Sequence, residues 1–298
     1  MRLLTNVNIN FIRLRRFSYA ISFTLMVASL ALVLIKGIKF GVDFTGGTQL
    51  QVKFTYPMRT EALRKALGKI GQADASIQTF GGSDEFLIRV EAGKIENFGE
   101  QVLKILAEEF PDNPVVGHNE ETVGPRIGRE LRGKAILAVI VGLILILIYI
   151  TVRFDFRYGV AAVFALFHDV LIALGILVLF GREFTMPILA AFLTIIGYAV
   201  NDTIVVSDRI REDTRKMHKE RYPDIVNQAI NRTLSRTIIT SSVILVSICL
   251  WIFGAPAIQD FAMIMTFGIL LGTYASIFIV AQLVVQWEEW MPSRRRRA

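Results

Sequence analysis

The sequence predicts a polytopic α-helical membrane protein, with six transmembrane helices and one small α+β domain, ferredoxin-like in element order, between helices 1 and 2. Three observations lead to this fold class. The chain is unusually apolar, its apolar residues gather in six long runs, and the one long segment between two of these runs shows strand and helix periodicity. Of 298 residues, 53% are hydrophobic and the mean hydropathy is +0.50. Soluble domains contain roughly 45–50% apolar residues.

The six apolar runs are each close to the roughly 20 residues that a helix needs to cross a bilayer. They are Phe17–Ile35, Ala135–Val152, Tyr158–Phe180, Phe184–Val206, Thr237–Phe253 and Phe261–Val285. Arg13, Arg15 and Arg16 precede the first run as they would in a signal peptide. The run continues to Lys36, however, beyond the 7–15 apolar residues of a signal peptide and without a clear cleavage site, so we predict a membrane anchor.

Basic residues are distributed unequally between the two ends of the predicted helices. With the N-terminus inside, eighteen Lys and Arg residues lie on the cytoplasmic side, whereas the short loops opposite hold only Arg182. Short cytoplasmic loops are enriched in positive charge, so both termini are predicted to be cytoplasmic and the α+β domain extracytoplasmic. The net charge of +7 therefore reflects topology and contact with membrane lipids rather than nucleic acid.

This topology divides the chain into four parts. They are the cytoplasmic N-terminus and helix 1 at 1–36, the extracytoplasmic domain and linker at 37–134, the five-helix bundle at 135–290 with a cytoplasmic loop at 207–236, and a basic cytoplasmic tail at 291–298.

The segment between helices 1 and 2 has the pattern of a small α+β domain. Its predicted elements are a strand at 48–54, a helix at 59–70, strands at 75–80 and 85–90 around Gly81-Gly82-Ser83, a helix at 95–110 and a strand at 115–123. The order βαββαβ is that of a ferredoxin-like fold. We find no catalytic triad, metal or phosphate-loop pattern, and Cys249 is the one cysteine. The domain is therefore predicted to bind or grip, and the protein not to be an enzyme.

Ionisable residues inside membrane helices are costly and are functional candidates by default. Asp202 lies toward the cytoplasmic end of the fourth run, Arg236 opens the fifth, and Asp169, beside His168, lies near the middle of the third. A buried carboxylate favours its protonated form and can bind a proton reversibly. The alternatives are an interfacial Asp202 that reaches water, an Arg236 that extends to the headgroups, and an Asp169 satisfied within the bundle.

Smaller polar and glycine residues complete the candidates. Asn201, Thr203, Thr237 and Ser241 are predicted to line a polar path, whereas Asp208 is predicted to lie on a solvated extension of helix 4. Gly268, Gly272 and Ser276 form a small-residue face suited to close helix packing.

Five motifs, in order along the chain, carry a resemblance to a known family. They are VDFTGG at 42–47, ETVGPRIGREL at 121–131, FHDV at 167–170, GYAVNDTIVVSDRIRE at 197–212 and NRTLSRT at 231–237. Together they resemble the SecF branch of the SecD/SecF protein-export family, within the RND-like superfamily. The residues matched as structural motifs are Asp43, Gly46, Gly47, Gly124, Pro125 and Gly128.

The resemblance implies a place in the Sec pathway of the bacterial cytoplasmic (inner) membrane. A SecD-like subunit would complete a twelve-helix assembly that works with the SecYEG channel, and possible further partners are YajC and a YidC-type insertase. The substrate would be an exported, unfolded polypeptide, moved late in export or membrane insertion by the proton or sodium motive force.

The same resemblance assigns roles to individual residues. Asp202 would carry the coupling ion, H⁺ or Na⁺, with Arg236 as its partner, and Gly46-Gly47 would form a flexible joint. No other cofactor is implied. Two alternatives remain open: an RND-like export subunit for a small molecule or lipid, and a passive scaffold for translocon assembly.

Overall fold

The structure is a computed structural model, and it describes residues 8–91, 97–217 and 220–291. Arg2, His218 and the basic tail from residue 292 lie outside the described residues. The chain forms two compact units. One comprises Lys39–Leu137 together with Glu183–Met186, and the other contains the remainder of the described chain.

The elements follow one another in this order. Helix α1 is Arg15–Lys36, α2 Val42–Thr45, β1 Gly47–Phe54, α3 Thr60–Lys69, β2 Ser76–Phe80, β3 Gly82–Glu91, α4 Phe98–Glu109 and β4 Val115–Val123. Helix α5 is Pro125–Arg153, α6 Phe156–Leu179, α7 Met186–Lys216, α8 Tyr222–Ser241, α9 Ile244–Phe253, α10 Pro256–Ala275 and α11 Ala281–Trp290. A π-helical turn, Ser276–Val280, joins α10 to α11.

The unit built around Lys39–Leu137 contains an antiparallel sheet with strand order β2-β3-β1-β4. With α3 and α4 this is the predicted ferredoxin-like arrangement. The apolar residues of both helices recur at helical spacing, and Leu63, Leu67, Val102 and Leu106 are buried in the core. Strands β2 and β3 meet in a tight turn at Gly81, whose φ of 83° suits glycine.

Among the described residues, six helical segments are long and apolar enough to cross a membrane, as predicted. They are Ile12–Lys36, Pro125–Arg153, Phe156–Leu179, Met186–Lys216, Tyr222–Phe253 and Ile258–Trp290. The third, fourth and sixth of these are the most buried within the chain itself, whereas few residues of the second and fifth are buried. The packing at the centre of the helical unit is therefore formed by α6, α7 and the α10–α11 segment.

The segment 207–236 was predicted as a cytoplasmic loop, but it is largely helical. Helix α7 continues to Lys216 and α8 already begins at Tyr222. Mixed charges without glycine or proline allow α7 to continue past the apolar run, and Pro223 falls in the first turn of α8, where proline is tolerated. The predicted helical extension at Asp208 is confirmed.

Candidate functional site

Asp202 lies on α7 with only 1% of its surface exposed. Two hydroxyl groups from other helices approach its carboxylate. The Thr240 hydroxyl on α8 lies 3.3 Å from Oδ1, and the Thr273 hydroxyl on α10 lies 3.4 Å from Oδ2. The carboxylate is therefore enclosed where three helices meet, which favours a buried group over the interfacial alternative.

The surrounding hydroxyls can bond to partners other than Asp202. Thr240 Oγ1 also lies 2.9 Å from the carbonyl oxygen of Thr237 on its own helix, and Thr273 Oγ1 lies 2.6 Å from Ser241 Oγ. A hydroxyl both donates and accepts hydrogen bonds. This environment can consequently serve an ionised carboxylate, which only accepts, and a protonated one, which also donates.

Close packing between α7 and α10 brings Thr273 to Asp202. A Cβ added at Gly268 would clash with Ile195 on α7, and one added at Gly272 would come within 2.9 Å of Ala199 Cβ. One turn further on, Thr203 Oγ1 and Ser276 Oγ are 3.1 Å apart. The predicted small-residue face is thus the contact surface with α7, since glycine permits backbones to approach closely.

Arg236 has an exposed side chain on α8, one turn before Thr240. The Thr240 hydroxyl, which lies 3.3 Å from Asp202 Oδ1, also lies 3.2 Å from the carbonyl oxygen of Arg236. No salt bridge within 4.0 Å joins the two side chains in the part of the chain that the structure describes. In this conformation, the direct neighbours of the carboxylate are hydroxyls, and a direct Asp202–Arg236 pair stays a prediction.

The residues predicted to line a polar path have different positions. Ser241 belongs to the hydroxyl network through Thr273, and Thr203 bonds to Ser276. Thr237 is buried but donates to the carbonyl oxygen of Thr233 on its own helix, while Asn201 is exposed. Thr273 was absent from the sequence-based candidates. The sequence feature that could have identified Thr273 is its position directly after Gly272, within the small-residue face.

A second buried carboxylate, Asp169, is only 3% exposed on α6. Its Oδ1 lies 2.9 Å from Nδ1 of His168, which is fully buried. Asp169 and Asp202 do not share a hydrogen-bond partner among the contacts of the described residues. The structure therefore brings Asp202 together with hydroxyls and Asp169 together with a histidine.

The glycine-rich motif at 42–47 forms α2 and the start of β1. Gly46 and Gly47 have φ angles of 77° and 148°. A Cβ at Gly46 would lie 2.7 Å from Pro125 Cα, and one at Gly128 would lie 2.8 Å from Gly46 N. Gly46 is thus required both for its positive φ and for close backbone contact, Gly47 has a positive φ, and Gly128 is required for close contact. A Cβ at Gly124 would meet nothing within 4 Å.

The same motif contacts the segment that precedes and begins α7. Asp43 Oδ2 accepts a hydrogen bond of 2.8 Å from the backbone N–H of Met186, the first residue of α7. Phe184 donates to the carbonyl oxygen of Lys39 at 2.7 Å and accepts from Gly41 at 2.9 Å. Asp43 therefore supplies an acceptor to one of the N–H groups that a helix leaves unpaired at its start.

A buried ion pair strengthens this contact. Glu183 forms a salt bridge with Arg89 on β3 and accepts a hydrogen bond of 3.2 Å from Gln78 on β2. The Arg89 and Glu183 side chains are 12% and 9% exposed. Neither residue was among the sequence-based candidates, because each stands alone in the sequence and only the fold brings them together.

Another buried acidic residue, Asp213, lies near the end of α7. It is fully buried and pairs with Arg209, 3.2 Å away on the same helix, and with Arg232, 2.9 Å away on α8. These pairs tie α7 to α8 beyond their apolar parts. They were also missed, because mixed charge on a helix indicates solvent exposure.

Comparisons with known proteins show the family. Residues 103–290 match the family described as protein export membrane protein SecD/SecF, C-terminal, and residues 31–55 match the SecD/SecF GG motif. The SecF protein translocase subunit of Calditerrivibrio nitroreducens is 42% identical over 283 residues, which are 93% of each chain. That of Escherichia coli O157:H7 is 36% identical and matches 93% of this chain.

Longer relatives match over part of their length. The SecDF protein translocase subunit of Thermus thermophilus is 41% identical over 91% of this chain and 37% of its own. The crystal structure of SecDF from that organism, titled as a translocon-associated membrane protein, matches 95% of this chain at a TM-score of 0.85 and 39% identity. This chain covers only 39% of that protein. From the matched residues, the identities and the shared fold, the chain belongs to the SecD/SecF family of protein-export membrane proteins, as a SecF-type translocase subunit.

Proposed function

We propose that this chain is half of an ion-driven export motor in the cytoplasmic (inner) membrane. With a SecD-like partner, it would use the proton or sodium motive force to assist the SecYEG channel late in protein export or membrane insertion. Asp202 would bind and release the ion. The proposal rests on family membership and on one observation, the burial of the Asp202 carboxylate among hydroxyls at the junction of α7, α8 and α10.

The chemistry of this junction supports reversible protonation. An ionised carboxylate within a membrane helix is costly unless it is paired or hydrogen-bonded. The Thr240 and Thr273 hydroxyls supply two donors to the ionised form. When Asp202 is protonated, Thr240 can donate instead to the Thr237 carbonyl oxygen, so neither charge state leaves a hydroxyl unsatisfied.

The size of the driving force suggests many small steps. One charge moving across about 100 mV releases roughly 2.3 kcal/mol. A free-energy difference of about 1.4 kcal/mol already changes an equilibrium tenfold. One ion can therefore bias two conformations of the membrane helices strongly, but cannot unfold a stable protein domain in a single step. A ratchet acting on an already unfolded polypeptide fits this magnitude.

The proposed partners and orientation follow from other observations. The SecDF relative contains a region similar to this chain within a much longer chain, and a SecD-like subunit would supply the remainder. Contacts with SecYEG, YajC and a YidC-type insertase are proposed from the family. The excess of basic residues on one side would place both termini in the cytoplasm and the α+β domain outside.

The proposal is tested by Asp202→Asn, which keeps size and hydrogen-bonding capacity but removes the ionisable group. A stalled export intermediate is followed in inverted membrane vesicles with and without an ion gradient, in the absence of ATP. Asp208→Asn is the matched control, because Asp208 lies on the same helix but is 56% exposed and paired with Arg153.

We expect Asp202→Asn to abolish gradient-dependent movement while insertion and co-purification with the SecD-like partner persist. Asp208→Asn should retain the movement. If vesicles with Asp202→Asn still respond to the gradient, Asp202 is structural, and the passive scaffold becomes the better explanation. If the ion gradient instead drives movement of a small molecule or lipid and has no effect on the polypeptide, the RND-like export subunit becomes the better explanation.

A further inference from the structure

His168 and Asp169 form an isolated polar pair inside the apolar helix α6. Both are buried, and His168 Nδ1 lies 2.9 Å from Asp169 Oδ1. The other polar atom of each residue, Nε2 of the histidine and Oδ2 of the aspartate, is also buried and has no hydrogen-bond partner among the described residues. Buried polar groups are nearly always satisfied, so two such atoms in neighbouring residues require an explanation.

The helices packed around α6 supply no charge to balance the pair. Tyr274 on α10 stacks on the His168 ring with centroids 6.3 Å apart, but its hydroxyl donates to the carbonyl oxygen of Ser18. On α1, Tyr19 bonds to Gln286 instead. These contacts leave Tyr274 as a packing partner of the histidine and not as a donor to the aspartate.

Two ion pairs near the ends of the neighbouring helices are closed between their own members. Glu288 on α11 pairs with Arg157 at the start of α6, and Arg153 at the end of α5 pairs with Asp208. Among the described residues, His168 is the one charged or titratable side chain in contact with the Asp169 carboxylate. With a neutral histidine, an ionised Asp169 would therefore be an uncompensated buried charge, which is costly.

We propose that His168 and Asp169 form a proton-binding site of their own, separate from Asp202. One added proton makes the pair neutral. On the imidazole it changes the ring directly, and on the carboxyl group it changes the hydrogen bond between Nδ1 and Oδ1, so His168 reports on either placement. A proton needs one acceptor atom, whereas metal cations bound through oxygen require several ligands. The pair offers a single unpartnered carboxylate oxygen, so the chemistry fits a proton.

This site would add a second protonation step to the helix bundle. Its part in export rests on the proposed ion-coupled function, but its ability to bind a proton does not. With two proton-binding sites in one bundle, the proposed export cycle would contain a state in which the His168–Asp169 pair holds a proton and Asp202 does not, or the reverse.

The chain has three histidines, which makes a direct test possible. His218 is replaced by Gln, and histidine labelled with ¹³C and ¹⁵N is incorporated into the full chain, reconstituted with its SecD-like partner in lipid nanodiscs. Two imidazole signals remain in this chain. His118 on β4 is exposed and serves as the internal reference, while His168 reports on the buried pair. Histidine labelling is confined to this subunit.

We expect the His168 signal to change as the pH is varied over the range in which the reconstituted complex is stable, because the pair binds or releases its proton. Asp169→Asn should abolish this transition, because the imidazolium loses the carboxylate that neutralises it. Asp202→Asn should leave it in place. A His168 signal that stays constant over this pH range would overturn the proposal, as would a transition that disappears with Asp202→Asn.

The native titration decides the matter even if Asp169→Asn does not fold. In that case His168→Gln is examined by infrared spectroscopy for a protonated Asp169 carboxyl band that is lost on deprotonation. Asp202→Asn is also present, to remove the carboxylate of the other proposed proton site, while the buried Glu183 and Asp213 are paired with arginines. A band that does not change with pH would contradict a proton-binding pair.

Discussion

The close contact between α7 and α10 can be tested by adding one methyl group at Gly272. Gly272→Ala adds a Cβ that would lie 2.9 Å from Ala199 Cβ and 3.3 Å from Ala199 Cα. Carbon atoms in contact prefer about 3.5–4.0 Å, so the helices must separate by roughly 0.6–1 Å. Because the neighbouring atoms belong to an alanine and its backbone, no side-chain rotation can relieve the clash.

The shift has two consequences of different kinds. Overpacking costs about 1–3 kcal/mol of stability. The hydrogen bond from Thr273 to Asp202 is already 3.4 Å long, so a displacement of this size breaks it. We therefore expect Gly272→Ala both to destabilise the bundle and to slow gradient-driven export, although the substitution lies outside the carboxylate itself.

Gly197→Ala on α7 is the matched control, because a Cβ there would meet no atom within 4 Å. Both changes gain the same helix propensity, about 0.8–1.0 kcal/mol for alanine over glycine, which cancels in the comparison. Unfolding of the purified chain in mixed detergent micelles should place Gly272→Ala about 1–3 kcal/mol below Gly197→Ala. Equal stability and equal export by the two variants would refute the reasoning that this spacing positions Asp202.

Three further predictions concern orientation, the charge of Arg236 and the Arg89–Glu183 ion pair. Reporters placed after Ala92 and after Ala298 should read outside and inside, respectively, and both on one side would contradict the six-helix topology. Arg236→Lys keeps the charge but loses the planar geometry of the guanidinium group, so gradient-driven export should fall partly. Arg236→Ala removes the charge as well and should lower export further. No loss of export with either variant would argue against an electrostatic role. Glu183→Ala leaves Arg89 buried without its acidic partner and should lower the free energy of unfolding by about 3–5 kcal/mol. Glu183→Gln keeps a hydrogen-bond acceptor and should lower it less. Chemical denaturation measures both variants, and equal losses of stability would show that the acceptor is unimportant.

Local signals explain why the sequence predicted the spans and the ferredoxin-like order correctly. Length and hydropathy define a membrane helix within its own residues, and the spacing of Leu63 and Leu67, or of Val102 and Leu106, defines a buried helical face. The sheet order then follows from the order of elements, because few arrangements of βαββαβ bury both helices on one side.

The partners of the functional candidates were not local and could not be predicted in the same way. Thr273 is separated from Asp202 by 71 positions, and which face of α10 meets α7 depends on how the glycines pack. Asp213 illustrates the opposite difficulty. Its sequence neighbourhood is that of an exposed charged helix, but Arg232 from α8 covers it, so only the tertiary arrangement reveals a buried charge.

The hydrogen bond from Met186 to Asp43 has a consequence for helical phase. Each residue of an α-helix advances the chain by 1.5 Å and rotates it by about 100°. Asp43 fixes the first residue of α7, and Asp202 follows sixteen residues later on the same helix. One residue inserted within that stretch would change the angle about the helix axis between Met186 and Asp202 by about 100°, whereas the same insertion in the loop before Glu183 would leave that angle unchanged. The number of residues between the motif-bound start of α7 and the buried carboxylate therefore sets the angle between these two contacts of one helix.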